Sequence, residues 1–284
     1  MRIRRISFFA SLCVAFFAGC ASPPPPKAPD PSDLLGTANY LRERVYSGDV
    51  GSFYRSLPES YRQNIRMLGS VAARSLDDDM WLAFQGLWLD VALLFDKQSS
   101  RIADFLTEEP LPYPTREQFL VVRAYDIRQL GRSLSKTVRQ LDRTALREGK
   151  IESVLDSEGI QETVRLILQL GKRSGRWLEP LRAAEDSAPE TLNMVYWVGE
   201  QQVTNRVEWT NVEGRWVPQT VAAAWPFLAG DALSRLEALP KTDRDRAQFL
   251  LHIWAIRKQI RLMSEADSQT EFESILLPFL RTWL

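Results

Sequence analysis

The chain has 284 residues, with 36 Lys and Arg against 36 Asp and Glu, 45% hydrophobic side chains, one His and two Cys. Such a chain is long enough to bury one good core or two small ones. A formal charge of zero argues against bulk nucleic-acid binding, which demands a strongly basic surface, and a single His excludes multi-His metal sites.

Arg2, Arg4 and Arg5 precede an uncharged apolar run from Ile6 to Phe17, and Phe17-Ala18-Gly19-Cys20 closes it with small residues before a cysteine. A run of about twelve apolar residues falls short of the ~20 that cross a bilayer, so the layout is that of a secretory signal. The four residues Phe17 to Cys20 resemble a bacterial lipobox, with Phe17 where Leu is usual. That resemblance implies a bacterial lipoprotein: signal peptide 1–19, a diacylglycerol thioether on Cys20 and, with Ala21 rather than Asp after it, transfer to the outer membrane facing the periplasm. Removing the three signal arginines leaves 33 basic against 36 acidic residues, a net charge of −3. Cys13 leaves with the signal, so no disulfide is expected. Residues 20–33 then form a tether. Six of the sixteen prolines fall between Pro23 and Pro31, and an extended polyproline spacer of this length reaches roughly 30–40 Å from the bilayer.

Residues 34–188 read as a helical region, with apolar side chains recurring at three and four. Leu34, Ala38, Leu41 and Val45 mark one helix, which Gly48 ends. Tyr61, Ile65, Leu68 and Ala72 mark a second after Pro58. Asp77 is a helix N-cap with Asp78 and Asp79 in the first turn, a reading preferred to a metal site because no other ligands lie nearby. From Trp81 to Phe95, twelve of fifteen residues are apolar. A helix of that kind is expected to be buried all round, by its own domain, a partner or lipid. Thr115 and Gln118 form a capping box after Pro110, Pro112 and Pro114.

In the next stretch Leu130, Leu134, Val138, Leu141 and Ala145 predict the apolar face of one helix. Arg128, Arg132, Lys136, Arg139, Arg143, Arg147 and Lys150 repeat at the same spacing, offset by two residues, and so predict a basic stripe on the opposite face. Its functional reading is contact with anionic lipid headgroups; the plainer one is a solvated helix face.

Residues 189–284 read as a β-meander plus C-terminal helices. Thr191–Val198, a strand through Val203, Val207 and Trp209, and Arg215–Val217 predict three antiparallel strands, turning at Gly199-Glu200 and at Asn211–Gly214. Three strands need a helical cover, and Gln219–Leu239 is expected to supply it through Val221, Trp225, Leu228 and Leu233. Thr242 and then Ser268 with Glu271 start the last two helices. The fold class expected is mainly α (α+β), a helical bundle with a small three-stranded meander covered by C-terminal helices. Leu57-Pro58 with Tyr61, Ile65, Leu68, Leu76, Met80 and Trp81, and Gly214-Arg215-Trp216-Val217-Pro218, are similar to segments of uncharacterised bacterial periplasmic proteins. That similarity implies an envelope protein and transfers no activity.

There is no Gly-x-Ser-x-Gly elbow, P-loop, Gly-x-Gly-x-x-Gly turn or Cys-x-x-Cys pair. His252, between Leu251 and Ile253, reads as a packing or surface residue. Seven of the nine tryptophans, Trp81, Trp88, Trp197, Trp209, Trp216, Trp225 and Trp254, are expected to fill the core, with Trp283 exposed. No catalytic residue, metal or cofactor is assigned. The expected function is a membrane-anchored, non-catalytic interaction or accessory protein of the envelope, whose partners are the bilayer, through acylated Cys20, and an unknown envelope protein. Two alternatives stay open: binding of anionic lipid through residues 128–150, and a carboxylate-based envelope-polymer hydrolase.

Overall fold

The computed structural model describes residues 29–30, 32–107, 115–173, 176–183, 190–198 and 201–283. Cys20, the proline run Pro23–Pro26, the Pro110–Pro114 segment, the turn expected at Gly199-Glu200 and the side chain of Trp283 lie outside what is described. In chain order the helices are α1 (Leu34–Tyr46), α2 (Val50–Ser56), α3 (Glu59–Ser75), α4 (Asp78–Lys97), α5 (Ser99–Phe105), α6 (Arg116–Gln140), α7 (Arg143–Arg147), α8 (Ile151–Leu155) and α9 (Glu158–Arg173). Strands β1 (Arg176–Leu178), β2 (Arg182–Ala183), β3 (Thr191–Val198), β4 (Gln201–Val212) and β5 (Arg215–Pro218) follow, then α10 (Gln219–Glu237), α11 (Asp243–Glu265) and α12 (Gln269–Trp283). The protein is therefore mainly helical with one small antiparallel sheet. The contacts of the described residues divide it into two units, and neither is continuous in sequence: unit 1 falls within 75–141 and 239–283, unit 2 within 29–74 and 142–238.

Unit 2 carries the sheet, ordered β1-β3-β4-β5 with β2 also paired to β3, so the meander of three strands is extended by two short ones. At three and two residues, β1 and β2 are too brief for an alternating pattern to reveal. Register sets Leu192 opposite Val207 and Asn211 opposite Trp216. The buried cover on this sheet comes from α1; α10, expected to supply it, does lie against β4 and β5 but buries no side chain fully. Leu34, Ala38 and Leu41 pack on Leu181, Leu192 and Trp209 in one buried cluster. A second row on α1 fastens the sheet edge: Asn39 exchanges hydrogen bonds with the Leu181 backbone at 2.7 and 3.1 Å, the Arg42 guanidinium donates to the Leu178 carbonyl at 2.7 and 2.9 Å, and the Leu178 N–H donates to the Tyr46 hydroxyl at 2.6 Å. Burial pushes the Tyr46 hydroxyl above its usual value, with that N–H and Arg42 opposing. By contrast α10, the expected cover, has no buried residue; Trp225 stacks on Tyr61 at 4.4 Å, while Leu228 is exposed.

Local chemistry sets the ends. Gly48 follows α1 at φ 77, the left-handed conformation that closes helices, and a Cβ there would lie 2.6 Å from the Gln161 carbonyl. Pro58, just before α3, has no side-chain acceptor for the first turn. The carboxylate of Glu213, from the β4–β5 turn, fills that role by accepting the Ser60 N–H at 3.0 Å. This bond offsets the cost of Glu213 standing at φ 53, and it holds the carboxyl below its usual range.

Unit 1 is built around α4. Asp77 caps it as expected, accepting the Met80 N–H at 2.9 Å, and Thr115, Thr242 and Ser268 cap α6, α11 and α12 in the same way. The helix α6 lies antiparallel on one flank of α4: Gln85 donates to the Val138 carbonyl at 3.3 Å, Arg132 to Asp96 at 3.1 Å and Arg128 to the Ser99 hydroxyl at 3.3 Å. On the other flank α11 lies parallel. Arg246 pairs with Asp77 at 2.6 Å, Arg257 and Arg261 with Asp90 at 2.6 and 3.1 Å, and Gln98 donates to the carbonyls of Ser264 and Ala266 at 2.9 and 3.1 Å. Beneath this layer Phe272 of α12 sits among Leu94, Ile260, Met263 and Ala266.

The approach of α6 to α4 depends on Gly131, where a Cβ would meet the Ala92 carbonyl oxygen at 2.6 Å and the Asp96 nitrogen at 2.9 Å. Both are backbone atoms of a helix and cannot yield as a side-chain tip does. Gly131→Ala is therefore expected to cost about 1–3 kcal/mol through forced separation of the two helices. A lowered urea midpoint checks this, and an unchanged midpoint would refute the close crossing.

Candidate functional site

Geometry around α4 produces one open face. At 100° per residue, Leu82, Leu89 and Leu93 fall between the flank taken by α6 (Gln85, Ala92, Asp96) and the flank taken by α11 (Gly86, Asp90, Leu94). On α6 the residues Val121, Tyr125, Arg128, Arg132 and Arg139 form a ridge about a quarter turn from Gly131 and Val138, which face α4. On α11 Trp254 lies about a quarter turn from Ile260 and Ser264, with Leu251, Lys258 and Leu262 further out. Because α6 runs against α4 and α11 runs with it, right-handed helices bring these three ridges to the same side of the layer. The Phe272 cluster takes the other side.

That face is apolar and basic together. Leu82, Val121, Tyr125, Leu251 and Trp254 are 59–66% exposed. Between them stand the guanidinium groups of Arg128, Arg132 and Arg139, all on exposed residues, and the Lys258 ammonium, 5.5 Å from the Trp254 ring centre. Among the described residues Arg128 meets a neutral hydroxyl in Ser99, whereas Arg132 meets Asp96. At the N-terminal end of α6, Val121 also lines a shallow groove of about 440 Å³ with Ser100, Arg116, Glu117, Leu120 and Ala124. Of the thirteen large apolar side chains exposed among the described residues, ten belong to unit 1. Burial of the Trp81–Phe95 helix is thus incomplete. Leu82, Trp88 and Leu93 are open, and Trp88 and Trp254 are not core residues.

The seven-residue basic stripe does not survive as one helix face. Helix α6 stops at Gln140, Leu141 turns extended, and Asp142 caps a new short helix by accepting the Ala145 N–H at 3.0 Å. Arg128, Arg132, Lys136 and Arg139 stay on α6, in unit 1. Arg143 and Arg147 belong to α7, in unit 2, and both donate to the Ala73 carbonyl near the end of α3, at 3.1 and 3.0 Å. There they complement the free carbonyls of a helix C-terminus. Lys150 pairs with Glu148 at 2.6 Å beyond α7. The residues that sequence reasoning missed are Val121 and Tyr125, which continue the basic series backward at spacings of three and four, and Leu82, Leu251 and Leu262.

His252 is exposed on α11, its Nδ1 2.7 Å from the Gln248 carbonyl oxygen. Among the described residues no group of His, Cys, Asp and Glu side chains is placed to hold a metal ion, and no helix is long and apolar enough to cross a membrane. Comparison of the chain with protein-family models, with curated proteins and with solved structures finds no match.

Proposed function

We propose that this protein is a lipid-anchored, non-catalytic interaction protein of the cell envelope, held on the periplasmic face of the outer membrane through Cys20 and working through the open face of unit 1. The observation that carries the reading is the concentration of exposed apolar side chains on the α6–α4–α11 layer. Large apolar groups left in water together mark a surface that meets something else. The order of basic, apolar and small residues before Cys20 supports the anchor, and the proline tether gives the folded part reach.

The test is photo-cross-linking in intact cells, with the reactive group placed at Val121 or Trp254 and, as a control, at Arg235 of unit 2. Cross-links to one or two envelope components from the first two positions, weakened by Cys20→Ser, are the expected result. Equal yields from all three positions would remove the interaction reading, and failure of labelled fatty acid to enter the wild-type chain would remove the anchor.

A further inference from the structure

We propose that the open face of the α6–α4–α11 layer docks on the anionic surface of a phospholipid bilayer, an inference that rests on the interaction reading above and names its partner. Three observations point there. The most exposed groups include Tyr125 and Trp254, amphipathic rings of the kind that settle at headgroup depth, with Leu82, Val121 and Leu251 beside them. Cations stand among these groups: Arg128, Arg132 and Arg139 follow Val121 and Tyr125 along one ridge, and Lys258 lies over Trp254. Arg, Tyr and Trp also occur in protein interfaces, whose cores lose Lys, but a row of three arginines with Lys258 beside apolar groups suits phosphate headgroups, to which long basic side chains reach while their stems stay apolar. The third observation is the layout. Three helices side by side offer their exposed ridges to a broad surface rather than to a single peptide.

The affinity required is small. A chain already tethered to the bilayer samples it at high local concentration, so docking that is weak in solution suffices. Docking would turn the unit 1 layer toward the lipid and fix which surfaces of the chain stay free.

The probe is the full chain carrying Cys13→Ser and Cys20→Ser, so that no acyl chain contributes, with one new cysteine from Val121→Cys or Trp254→Cys bearing an environment-sensitive fluorophore. Ser274→Cys on α12 is the control, and the apolar run Ile6–Phe17 is common to all three. Added phosphatidylcholine vesicles containing phosphatidylglycerol should blue-shift and brighten the labels at 121 and 254 by roughly twofold or more, leave the label at 274 unchanged, and do so less at high salt. Joint replacement Arg128→Gln, Arg132→Gln and Arg139→Gln should weaken vesicle partition by about tenfold to a hundredfold. These side chains are exposed, so an unchanged melting curve will show that the variant is folded. Labels that stay in water, or that shift equally without phosphatidylglycerol, overturn the proposal. If they stay in water while cross-links from Val121 and Trp254 capture a protein in cells, the face is a protein interface and the interaction reading stands. If neither occurs, both readings fall.

Discussion

Asp90→Ala is expected to lower the stability of unit 1 by about 3 kcal/mol, the lower end of the range for breaking a buried ion pair. Asp90 is buried in α4, and Arg257 and Arg261 of α11 reach it at 2.6 and 3.1 Å. Removing the carboxylate leaves two guanidinium groups without their acceptor where α4 and α11 meet. Arg261 is more than half exposed and can turn to water, but Arg257 is only a quarter exposed, and its guanidinium lies 2.5 Å from where a Cβ on Gly86 would stand. That side chain is boxed in. Asp90→Asn keeps an acceptor and should lose less. Hydrogen exchange of α4 and α11 amides across a urea series isolates unit 1, whose unfolding need not coincide with that of unit 2. Protection that is the same in Asp90→Ala as in the parent would mean that the ion triad is a surface pairing without structural weight.

Phe272→Ala is expected to cost about 3–4 kcal/mol, the transfer energy of the ring plus the cavity it leaves. Phe272 is 1% exposed and touches residues contributed by α4, α11 and the segment after it, so it joins the C-terminal helix to the rest of unit 1. Leu277→Ala, on the open side of the same helix, should change stability by no more than about 0.5 kcal/mol. A thermal melt of both variants gives the comparison. Equal effects would show that α12 is held by something other than this cluster.

Short-range chemistry was readable where it was decisive. Asp77, Thr115, Thr242 and Ser268 cap the helices that the sequence predicts, because a side-chain oxygen needs only an amide three residues on. The apolar face of α1 was read correctly at Leu34, Ala38, Leu41 and Val45, all buried. The end of α6 was not. The apolar spacing runs unbroken through Leu141 to Ala145, and only the capping oxygen of Asp142 marks a new start. The basic stripe failed for that reason, and two of its seven residues, Arg143 and Arg147, serve the end of α3.

The sequence predicts most of the long helices, their caps, the hairpins of β3 to β5 and the charge pattern along α6, which depend largely on near neighbours; it does not delimit α2, α5 or α7 to α9, nor show β1 and β2. The packing adds that α1 joins α10 against the sheet and supplies its buried cluster, that residues 75–141 join 239–283, and that exposed ridges of three helices share a side. Those outcomes depend on which faces meet across separations from 29 to 171 positions, and a chain with apolar side chains on many of its helices permits several such pairings. Shape settles the choice. Gly131 lets α6 approach α4, Asp90 takes two arginines from α11, and once both flanks of α4 are filled, Leu82 and Leu93 are left facing outward.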